Sequence, residues 1–350
     1  MKLAEVKTSP SFVSGAQTRV AAFVAERGAD VGNLVALTPD ASAREYFRIP
    51  WHGSTAIVAA YPEGFDKLTQ PFLDVTGLFQ AAALPVPQIY AVDEAKGLIV
   101  QEDCGDRQLY DYFATASEAD SEQLLKEAVT LIARIQQATV MATERESVAS
   151  KLAFDFAKLS WELDFFYEHF FGSLRKEKLK PREAKRFKQE LAIVARELAA
   201  RPRVLCHRDY HASNLLVDGQ KRLRIIDYQD ARLGPASYDL VSLLLDRVTQ
   251  VPSLARIRAG RLNFLQARVS LDLPVLEAEE FTAEFRLMTV QRVLKAIGTF
   301  SFQIGVRGRV AVYGRYINPM LMVAVQACEL LERFPLIQSV LADRASDKYV

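Results

Sequence analysis

Three side chains whose oxygen atoms could hold a metal ion or take up a proton lie close together in the sequence. Asp209 is followed five residues later by Asn214, and Asp227 comes thirteen residues after Asn214. Carboxylate and amide oxygens are ligands that Mg²⁺ prefers, and beside nucleotide phosphates the ion needs only one or two of them from the protein. The remaining carboxylate could accept the proton of an attacking hydroxyl group. These residue types therefore predict chemistry on a phosphate group.

The segment between Asn214 and Asp227 predicts a β-hairpin. The apolar runs 215–217 and 222–226 would be its strands. The dipeptide Asp218-Gly219 would form the turn, because both residues tolerate positive φ. Since a hairpin returns the chain to its starting point, we expect Asn214 and Asp227 at the same open end.

The spacing of the motif matches the catalytic loop of protein kinases. His207-Arg208-Asp209 is followed by four residues and then Asn214, and two isoleucines precede Asp227. In the kinase arrangement the first Asp accepts the proton of the attacking hydroxyl, and the Asn and the later Asp hold the metal ions. Asp209 would then be the catalytic residue, and Asn214 and Asp227 would bind Mg²⁺, with ATP as the phosphoryl donor. An isolated His-x-Asp would be an ordinary polar loop, but the full spacing is specific.

The composition is that of an ordinary globular protein. The chain has 350 residues, half of them hydrophobic and a quarter charged, which suits one large domain or two lobes. The formal net charge of +1 gives no electrostatic reason to expect nucleic acid or a membrane surface as a partner. Three widely spaced cysteines argue for a reducing compartment. The sequence shows neither a signal-peptide pattern nor a long apolar run, so we expect a cytoplasmic protein.

The first part of the chain predicts a small sheet, and the later part predicts mainly helices. Strands are expected at 33–37, 45–49, 55–61, 89–92 and 98–101, with helices at 16–27 and 71–84. Helical patterns cover 109–137, 152–171, 174–200, 254–271, 281–302 and 319–334, whereas 139–151 reads as a loop. Ser237 is expected to cap a helix that begins near Tyr238.

The segment 102–105 predicts a hinge. Backbone groups near Glu102 would hydrogen-bond the edge of adenine, although a simple strand end would give the same pattern. The strand and helix patterns predict the α+β class, and the likeness of the catalytic motif to that of protein kinases implies a protein kinase-like fold with two lobes. The N-lobe, with its small antiparallel sheet, would cover residues 1–101, and the larger helical C-lobe would cover residues 106–350.

These motifs resemble a known family. The stretches HRDYHASNLL and IIDYQDARLGPASYDL resemble the aminoglycoside phosphotransferase and choline kinase superfamily. Two others, ASAREYFR and VQRVLKAIG, resemble the bacterial N-acetylmuramate/N-acetylglucosamine anomeric kinases of cell-wall recycling. The resemblance implies phosphorylation of a sugar at its C1 hydroxyl, which gives a sugar 1-phosphate. The expected partners are ATP and a small sugar, without nucleic acid or a membrane.

The resemblance also implies further site residues. The implied ATP-binding residues are Ser42, Arg44, Glu102 and Asp103. The implied substrate-binding residues are His211, Gln229, Asp230, Asp246, Arg292 and Lys295. The implied structural supports are His207 and Asp239, the latter as a brace for the catalytic loop.

The third predicted strand departs from the kinase pattern. Protein kinases place a phosphate-binding Lys on it, but TAIVAAY contains none. Arg44 or Lys67 could substitute. Because this lysine is missing, the alternative that the protein is a nucleotide-binding pseudokinase also stays open.

Two other functions share part of the motif. An aminoglycoside or other small-alcohol kinase would have the same catalytic residues, but acidic clusters for a polycationic acceptor are not evident. A metal phosphoesterase would explain His207, Asp209 and His211, yet it would usually need more ligands than these.

Overall fold

The structure, a computed structural model, describes residues 14–28, 30–37 and 44–346. Ser42, one of the predicted ATP-binding residues, lies outside them. The strands are β1 (Val35–Leu37), β2 (Glu45–Trp51), β3 (Ser54–Ala60), β4 (Ile89–Asp93), β5 (Leu98–Glu102), β6 (Val204–Cys206), β7 (Leu215–Val217), β8 (Leu223–Ile225) and β9 (Arg232–Gly234). The helices are α1 (Gly15–Ala25), α2 (Pro71–Ala81), α3 (Leu109–Phe113), α4 (Glu118–Gln137), α5 (Thr139–Glu144), α6 (Val148–Lys151), α7 (Phe156–Tyr167), α8 (Pro181–Ala199), α9 (Tyr238–Leu245), α10 (Leu254–Ser270), α11 (Ala278–Gly305), α12 (Val310–Leu331) and α13 (Pro335–Ala342), with short 3₁₀ helices at Val31–Asn33 and Ala212–Asn214 and a π-helix at Glu168–Arg175.

Contacts divide the chain into two units. The first comprises Met1–Leu124 and Ala212–Asp230, and the second comprises Leu125–His211 and Ala231–Val350. The first contains a five-stranded sheet and the β7–β8 hairpin, whereas the second is mainly helical, with β6 paired to β9. The predicted α+β class is therefore confirmed. The predicted lobes, 1–101 and 106–350 with a hinge at 102–105, were defined by their expected roles in nucleotide binding. The two units are defined by contacts within the chain, so the lobe boundaries stay a prediction.

The five-stranded sheet of the first unit is antiparallel and has the order β1-β2-β3-β5-β4. Phe47 is opposite Val58, and Val58 is opposite Val100. These three side chains pack with Val20 and Phe23 of α1 in one hydrophobic core. Because successive residues of a strand point to opposite faces, the other face of β3 is available for a second set of contacts.

The predicted hairpin is present, but its turn differs from the expectation. Positive φ occurs at Lys221, the fourth residue of the five-residue loop 218–222, and not at Asp218 or Gly219. The Asp218 carboxylate orders the turn by accepting hydrogen bonds from the backbone N–H groups of Gln220 and Arg222, each at 2.9 Å. Asp218 and Gly219 lie in the predicted turn, but the positive φ expected of them is wrong, because the left-handed position falls at Lys221.

The long helix α11 is central to the second unit, and most of its side chains are buried. Gly298 lets it approach α7 closely: a Cβ at this position would lie 2.6 Å from the Cα of Phe166. Gly305 would meet the backbone carbonyl of Ser173 in the same way. The backbone of α11 is therefore fixed against its neighbours at two points that both follow Lys295 in the sequence.

Several predicted helix bounds are wrong. The pattern 109–137 is split into α3 and α4, because the Ser117 hydroxyl accepts the backbone N–H of Asp120 and starts a new helix. The polar stretch 139–151 forms α5 and α6 instead of a loop. The last predicted helix begins at Val310 and contains Pro319 in its interior. No helix within residues 14–28, 30–37 and 44–346 is both long and apolar enough to cross a membrane.

Ser237 has the predicted position but not the predicted bond. It precedes α9, yet its side chain makes no capping hydrogen bond. The hydroxyl instead donates to Glu284 Oε1 at 2.8 Å, and the Ser237 backbone N–H donates to the same oxygen at 3.0 Å. The buried Glu284 of α11 therefore orients the Ser237 hydroxyl, whose oxygen accepts no hydrogen bond from the first turn of α9.

Candidate active site

A cavity of about 130 Å³ in the first unit has apolar walls and one polar end. Ile57 and Ala59 of β3 contribute to its walls, because they point away from the α1 core, and Ile226 contributes from the hairpin. Phe72 and Tyr228 add aromatic surface, with stacked rings whose centroids are 5.4 Å apart. A largely apolar slot with a few polar groups suits a planar base such as adenine.

The polar end of the cavity contains Asn214 and Asp227. Asn214 Nδ2 donates a hydrogen bond to Asp227 Oδ2 at 3.3 Å, and Gln229 Nε2 donates to Asp227 Oδ1 at 3.0 Å. Arg44 NH2 lies 3.9 Å from the same Oδ1. Asp227 has a φ of 64°, a left-handed conformation that Asp adopts more readily than most residues. The fold therefore brings two of the three motif residues together.

These side chains fit a divalent cation that is bound together with a nucleotide. They offer one carboxylate and one amide oxygen, which are hard donors. Within the described part of the chain, no group of three or more His, Cys, Asp or Glu side chains could hold a metal by itself. Mg²⁺ held by Asn214 and Asp227 would therefore take its remaining ligands from phosphate oxygens and water.

Arg44, and not Lys67, lies at the polar end of the cavity, beside Asp227. Its guanidinium carbon is 5.8 Å from the ring centroids of both Tyr46 and Tyr61. Burial would lower the pKa of Arg44, but the two tyrosines and Asp227 outweigh it and raise the pKa above its usual value. Lys67 is largely exposed and its Nζ lies 3.4 Å from Glu94. Of the two candidates, only Arg44 lines the cavity.

The carboxylates of Glu102 and Asp103 already have protein partners. Glu102 binds Arg224, and its backbone N–H donates to the Gln88 carbonyl at 2.8 Å. Asp103 Oδ2 accepts from Arg48 Nε at 2.6 Å. Glu102 lines the cavity, whereas Asp103 does not. Their predicted contacts with ATP stay a prediction, and an adenine contact here would use other backbone atoms of the segment.

The loop that carries Asp209 is held by a buried carboxylate. Asp239 of α9 accepts hydrogen bonds from the backbone N–H groups of His207, at 2.7 Å, and Arg208, at 3.1 Å. Arg208 has a φ of 86°, which costs a residue other than glycine about 1–3 kcal/mol. Burial raises the pKa of Asp239 to about 7, although both N–H donors favour its charged form. These hydrogen bonds could hold the catalytic loop in place. The support roles of His207 and Asp239 stay a prediction.

Asp209 lies in a cluster of cations in the second unit. Lys295 Nζ is 3.2 Å and Arg292 NH2 is 3.6 Å from Asp209 Oδ1, and Arg208 Nε is 3.7 Å from Oδ2. Burial would raise the pKa of Asp209, but the charges of Lys295, Arg208 and Arg292 outweigh it and hold the pKa well below its usual range. The carboxylate is therefore ionised at neutral pH.

A buried ion pair forms the base of this cluster. Arg292 NH2 lies 2.9 Å from Asp246 Oδ2 and donates to Ser242 Oγ at 3.0 Å. The backbone N–H of His211 donates to the Asp209 carbonyl at 3.0 Å, and burial lowers the pKa of its imidazole to about 3, so the ring is neutral. His211 Nδ1, Asp246 Oδ1 and Arg292 Nε are buried without a hydrogen-bond partner in the protein. Such atoms fit a polar ligand with several hydroxyl groups.

The predicted substrate-binding residues fall into two groups. Those near Asp209 in the second unit are His211, Asp246, Arg292 and Lys295. Those in the first unit are Gln229 and Asp230. Gln229 contacts Asp227 and lines the apolar cavity, which favours a role beside the nucleotide over contact with a sugar. All six binding roles stay predictions.

Sequence reasoning missed Lys158, which belongs to the same cationic cluster. Lys158 Nζ lies 3.7 Å from Glu162 Oε1. Burial lowers the pKa of Lys158, and the neighbouring charges of Arg208 and Lys295 lower it further, against the attraction of Glu162. Glu162 also accepts a hydrogen bond from Gln291 at 2.8 Å. The signal in the sequence was a Lys and a Glu four residues apart within an aromatic helix.

Comparisons with known proteins give one family. Residues 33–273 match the model of the phosphotransferase enzyme family. The chain is 31% identical to the N-acetylmuramate/N-acetylglucosamine kinase of Pseudomonas aeruginosa, over 80% of each chain. It is 29% identical to the protein of the same name from Neisseria meningitidis, over 89% of this chain and 91% of the relative.

Solved structures show the same fold at low sequence identity. The gentamicin complex of APH(2'')-IIa has a TM-score of 0.59 and 15% identity, covering 93% of this chain and 99% of that one. Plasmodium vivax ethanolamine kinase has a TM-score of 0.54 and 12% identity, covering 88% and 85%. These likenesses confirm the predicted kinase-like fold and, with the family match, the resemblance seen in the sequence motifs. The chain belongs to the phosphotransferase enzyme family.

Proposed function

We propose that this protein transfers the γ-phosphoryl group of ATP, with Mg²⁺, to the anomeric C1 hydroxyl of N-acetylmuramate or N-acetylglucosamine. Relatives at about 30% identity carry the name N-acetylmuramate/N-acetylglucosamine kinase, and the similarity extends over most of both chains. The product would be an N-acetyl sugar 1-phosphate of peptidoglycan recycling. The coarser activity, phosphoryl transfer, follows from the family.

The observation that carries the proposal is the cationic cluster around Asp209. Lys295 and Arg292 keep this carboxylate ionised, so it can accept a hydrogen bond from an acceptor hydroxyl and orient it. Phosphoryl transfer passes through a loose transition state with little covalent work for the protein. Positioning by Asp209 and charge neutralisation by its cations would therefore supply most of the rate.

The nucleotide side of the reaction would use the first unit. Adenine would enter the apolar cavity, and Asn214 and Asp227 would hold Mg²⁺, which neutralises charge on the β- and γ-phosphates when bound. Arg44 would contact the phosphates in place of the missing strand lysine. This assignment is supported by its position 3.9 Å from Asp227 and by a charge that does not titrate at neutral pH.

The charges around Asp209 argue against a polycationic acceptor. Lys158, Arg208, Arg292 and Lys295 are four cations, set against the carboxylates of Asp209, Asp246 and Glu162. An aminoglycoside carries several ammonium groups and would be repelled by this surplus, whereas a neutral or anionic sugar would not. The intact set of Asp209, Asn214 and Asp227 likewise disfavours a pseudokinase.

The test is an acceptor panel with the purified protein and Mg-ATP. The panel contains N-acetylmuramate, N-acetylglucosamine, glucose, kanamycin and choline, and the products are identified by mass spectrometry. A phosphate on C1 is acid-labile and removes the reducing end, so both properties are measured. We expect an acid-labile hexosamine phosphate. Phosphorylation of kanamycin or choline instead would overturn the acceptor, and bound ATP without any product would favour a pseudokinase.

A further inference from the structure

Three arginines of the second unit line two adjoining cavities that are separate from the cluster around Asp209. Arg258 and Arg261 come from α10, and Arg286 comes from α11. All three contribute to a cavity of about 210 Å³ and also to one of about 400 Å³. Neither cavity is lined by a residue that we assign to phosphoryl transfer.

The three guanidinium groups lack acidic partners. Within residues 14–28, 30–37 and 44–346, none of Arg258, Arg261 and Arg286 forms an ion pair. Glu280, on the neighbouring turn of α11, pairs instead with Arg201 at 3.1 Å. Glu279 lines the larger cavity and is its acidic residue. The net charge of the lining is therefore positive.

The arginines also repel one another. Burial and then the charges of Arg286 and Arg258 lower the pKa of Arg261. The Nε atom of Arg261 is buried and has no hydrogen-bond partner in the protein. Arg286 uses NH1 to bind the carbonyl of Leu330 at 2.9 Å, which fixes its direction. A buried donor without a partner is costly, and an anion would satisfy the donor and relieve the repulsion.

The smaller cavity has an apolar wall beside these charges. Its lining includes Leu245, Leu254, Ile257, Phe285 and Val323. Leu254 is half exposed, so the wall opens to solvent next to the arginines. A ligand that fills the cavity would therefore carry an apolar group at one end and a concentrated negative charge at the other.

From this juxtaposition we propose that Arg258, Arg261 and Arg286 form a second ligand site, for a small organic phosphate with an apolar group. A phosphate monoester carries close to two negative charges at neutral pH and three acceptor oxygens. Guanidinium groups bind such oxygens in pairs through parallel N–H donors. A carboxylate would use only part of this donor set. The site is independent of the proposed sugar kinase activity.

The probe for this site is phenyl phosphate, titrated into the full-length protein by calorimetry. The protein is first saturated with Mg-ADP, so that the nucleotide cavity is occupied. We expect one binding event whose affinity falls with added salt, and no binding of benzyl alcohol, which has the ring but not the charge. Failure of phenyl phosphate to bind, or equal binding of benzyl alcohol, would overturn the proposal.

Substitutions locate the site. Arg261→Gln and Arg258→Gln should each weaken phenyl phosphate about tenfold or more, because each removes a charge-assisted hydrogen bond. Arg256→Gln is the matched control, since Arg256 is an exposed arginine of α10 that lines neither cavity. Arg258 is itself exposed, so its variant should fold normally. Unchanged affinity in both site variants, or equal loss in Arg256→Gln, would place the ligand elsewhere.

Discussion

Lys295 Nζ lies 3.2 Å from Asp209 Oδ1, and both side chains belong to the second unit. The residue that we propose to orient the acceptor hydroxyl therefore carries its own counter-ion. Arg292 approaches the same oxygen at 3.6 Å but is tied to Asp246 at 2.9 Å. Lys295 is thus the more adjustable of the two cations, because among the described residues it pairs with Asp209, whereas Arg292 is divided between Asp209 and Asp246.

The first prediction concerns Asp209. Asp209→Asn keeps the size of the side chain but removes its charge and its capacity to take a proton. We expect kcat to fall by about 10²–10⁴-fold, while the affinity for Mg-ATP measured by calorimetry stays close to that of the wild type. Turnover near the wild-type rate would show that another group orients the acceptor.

The second prediction concerns the pH dependence of the reaction. The folded protein holds the pKa of Asp209 below its usual value, so the ionised form of this carboxylate is lost only when the pH falls through that low pKa. Lys295→Met removes one of the cations that lower the pKa, so the acidic limb of kcat/KM should move to higher pH. Because the pKa of His211 is about 3, His211 should not add a limb near neutrality.

Lys185→Met is the control for this measurement. Lys185 is an exposed residue of α8, and its removal should leave the profile where it is. An acidic limb that stays in place in Lys295→Met would show that Lys295 does not set the charge state of Asp209.

The third prediction compares the two candidates for the missing strand lysine. Arg44→Gln should raise KM for ATP about tenfold, the effect of one lost charge-assisted hydrogen bond. Lys67→Gln should not change it, because Lys67 pairs with Glu94 and does not line the cavity. Steady-state kinetics with ATP as the varied substrate decides between them. The reverse pattern would assign the phosphates to Lys67.

The fourth prediction concerns the metal. Asp227→Ala removes the carboxylate that accepts a hydrogen bond from Asn214. We expect the dependence of ATP affinity on Mg²⁺ to disappear, measured by calorimetry with and without EDTA. Asp111→Ala, at an exposed position of α3, should leave that dependence intact. Unchanged Mg-ATP affinity in Asp227→Ala would remove this residue from the metal site.

The parts of the site that the sequence predicted correctly depend on residues that lie close together in the sequence. Asn214 and Asp227 meet because the apolar runs between them pair as β7 and β8, and short apolar runs were enough to predict β3 and β5. Lys158 was missed because only the packing of α7 brings it close enough to Lys295 for the charge of Lys295 to lower its pKa.

The choice between Arg44 and Lys67 was likewise beyond the sequence. Both are cations close to the predicted third strand, and only the tertiary structure shows that one of them is engaged by Glu94. The start of α12 was misplaced for a different reason. Pro319 reads as a helix start, since proline is favoured in the first turn, but the packed helix continues through it.

The fifth prediction concerns the contact that positions α11. A Cβ at Gly298 would lie 2.6 Å from Cα and 2.9 Å from the backbone N of Phe166. These are backbone atoms of α7, which cannot move away as the end of a flexible side chain can. Gly298→Ala should therefore lower the free energy of unfolding by about 1–3 kcal/mol. It should also reduce kcat, because Lys295 lies one turn away on the same helix.

Gly77→Ala is the matched control. Gly77 lies inside α2, and a Cβ there would meet nothing within 4 Å. Since Ala is favoured over Gly in a helix interior, this variant should gain about 0.5–1 kcal/mol and keep full activity. Both free energies are measured by urea denaturation. Loss of activity in Gly298→Ala without loss of stability would mean that α11 shifts as a rigid body. Full stability together with full activity would show that α7 yields and that the close approach is not required.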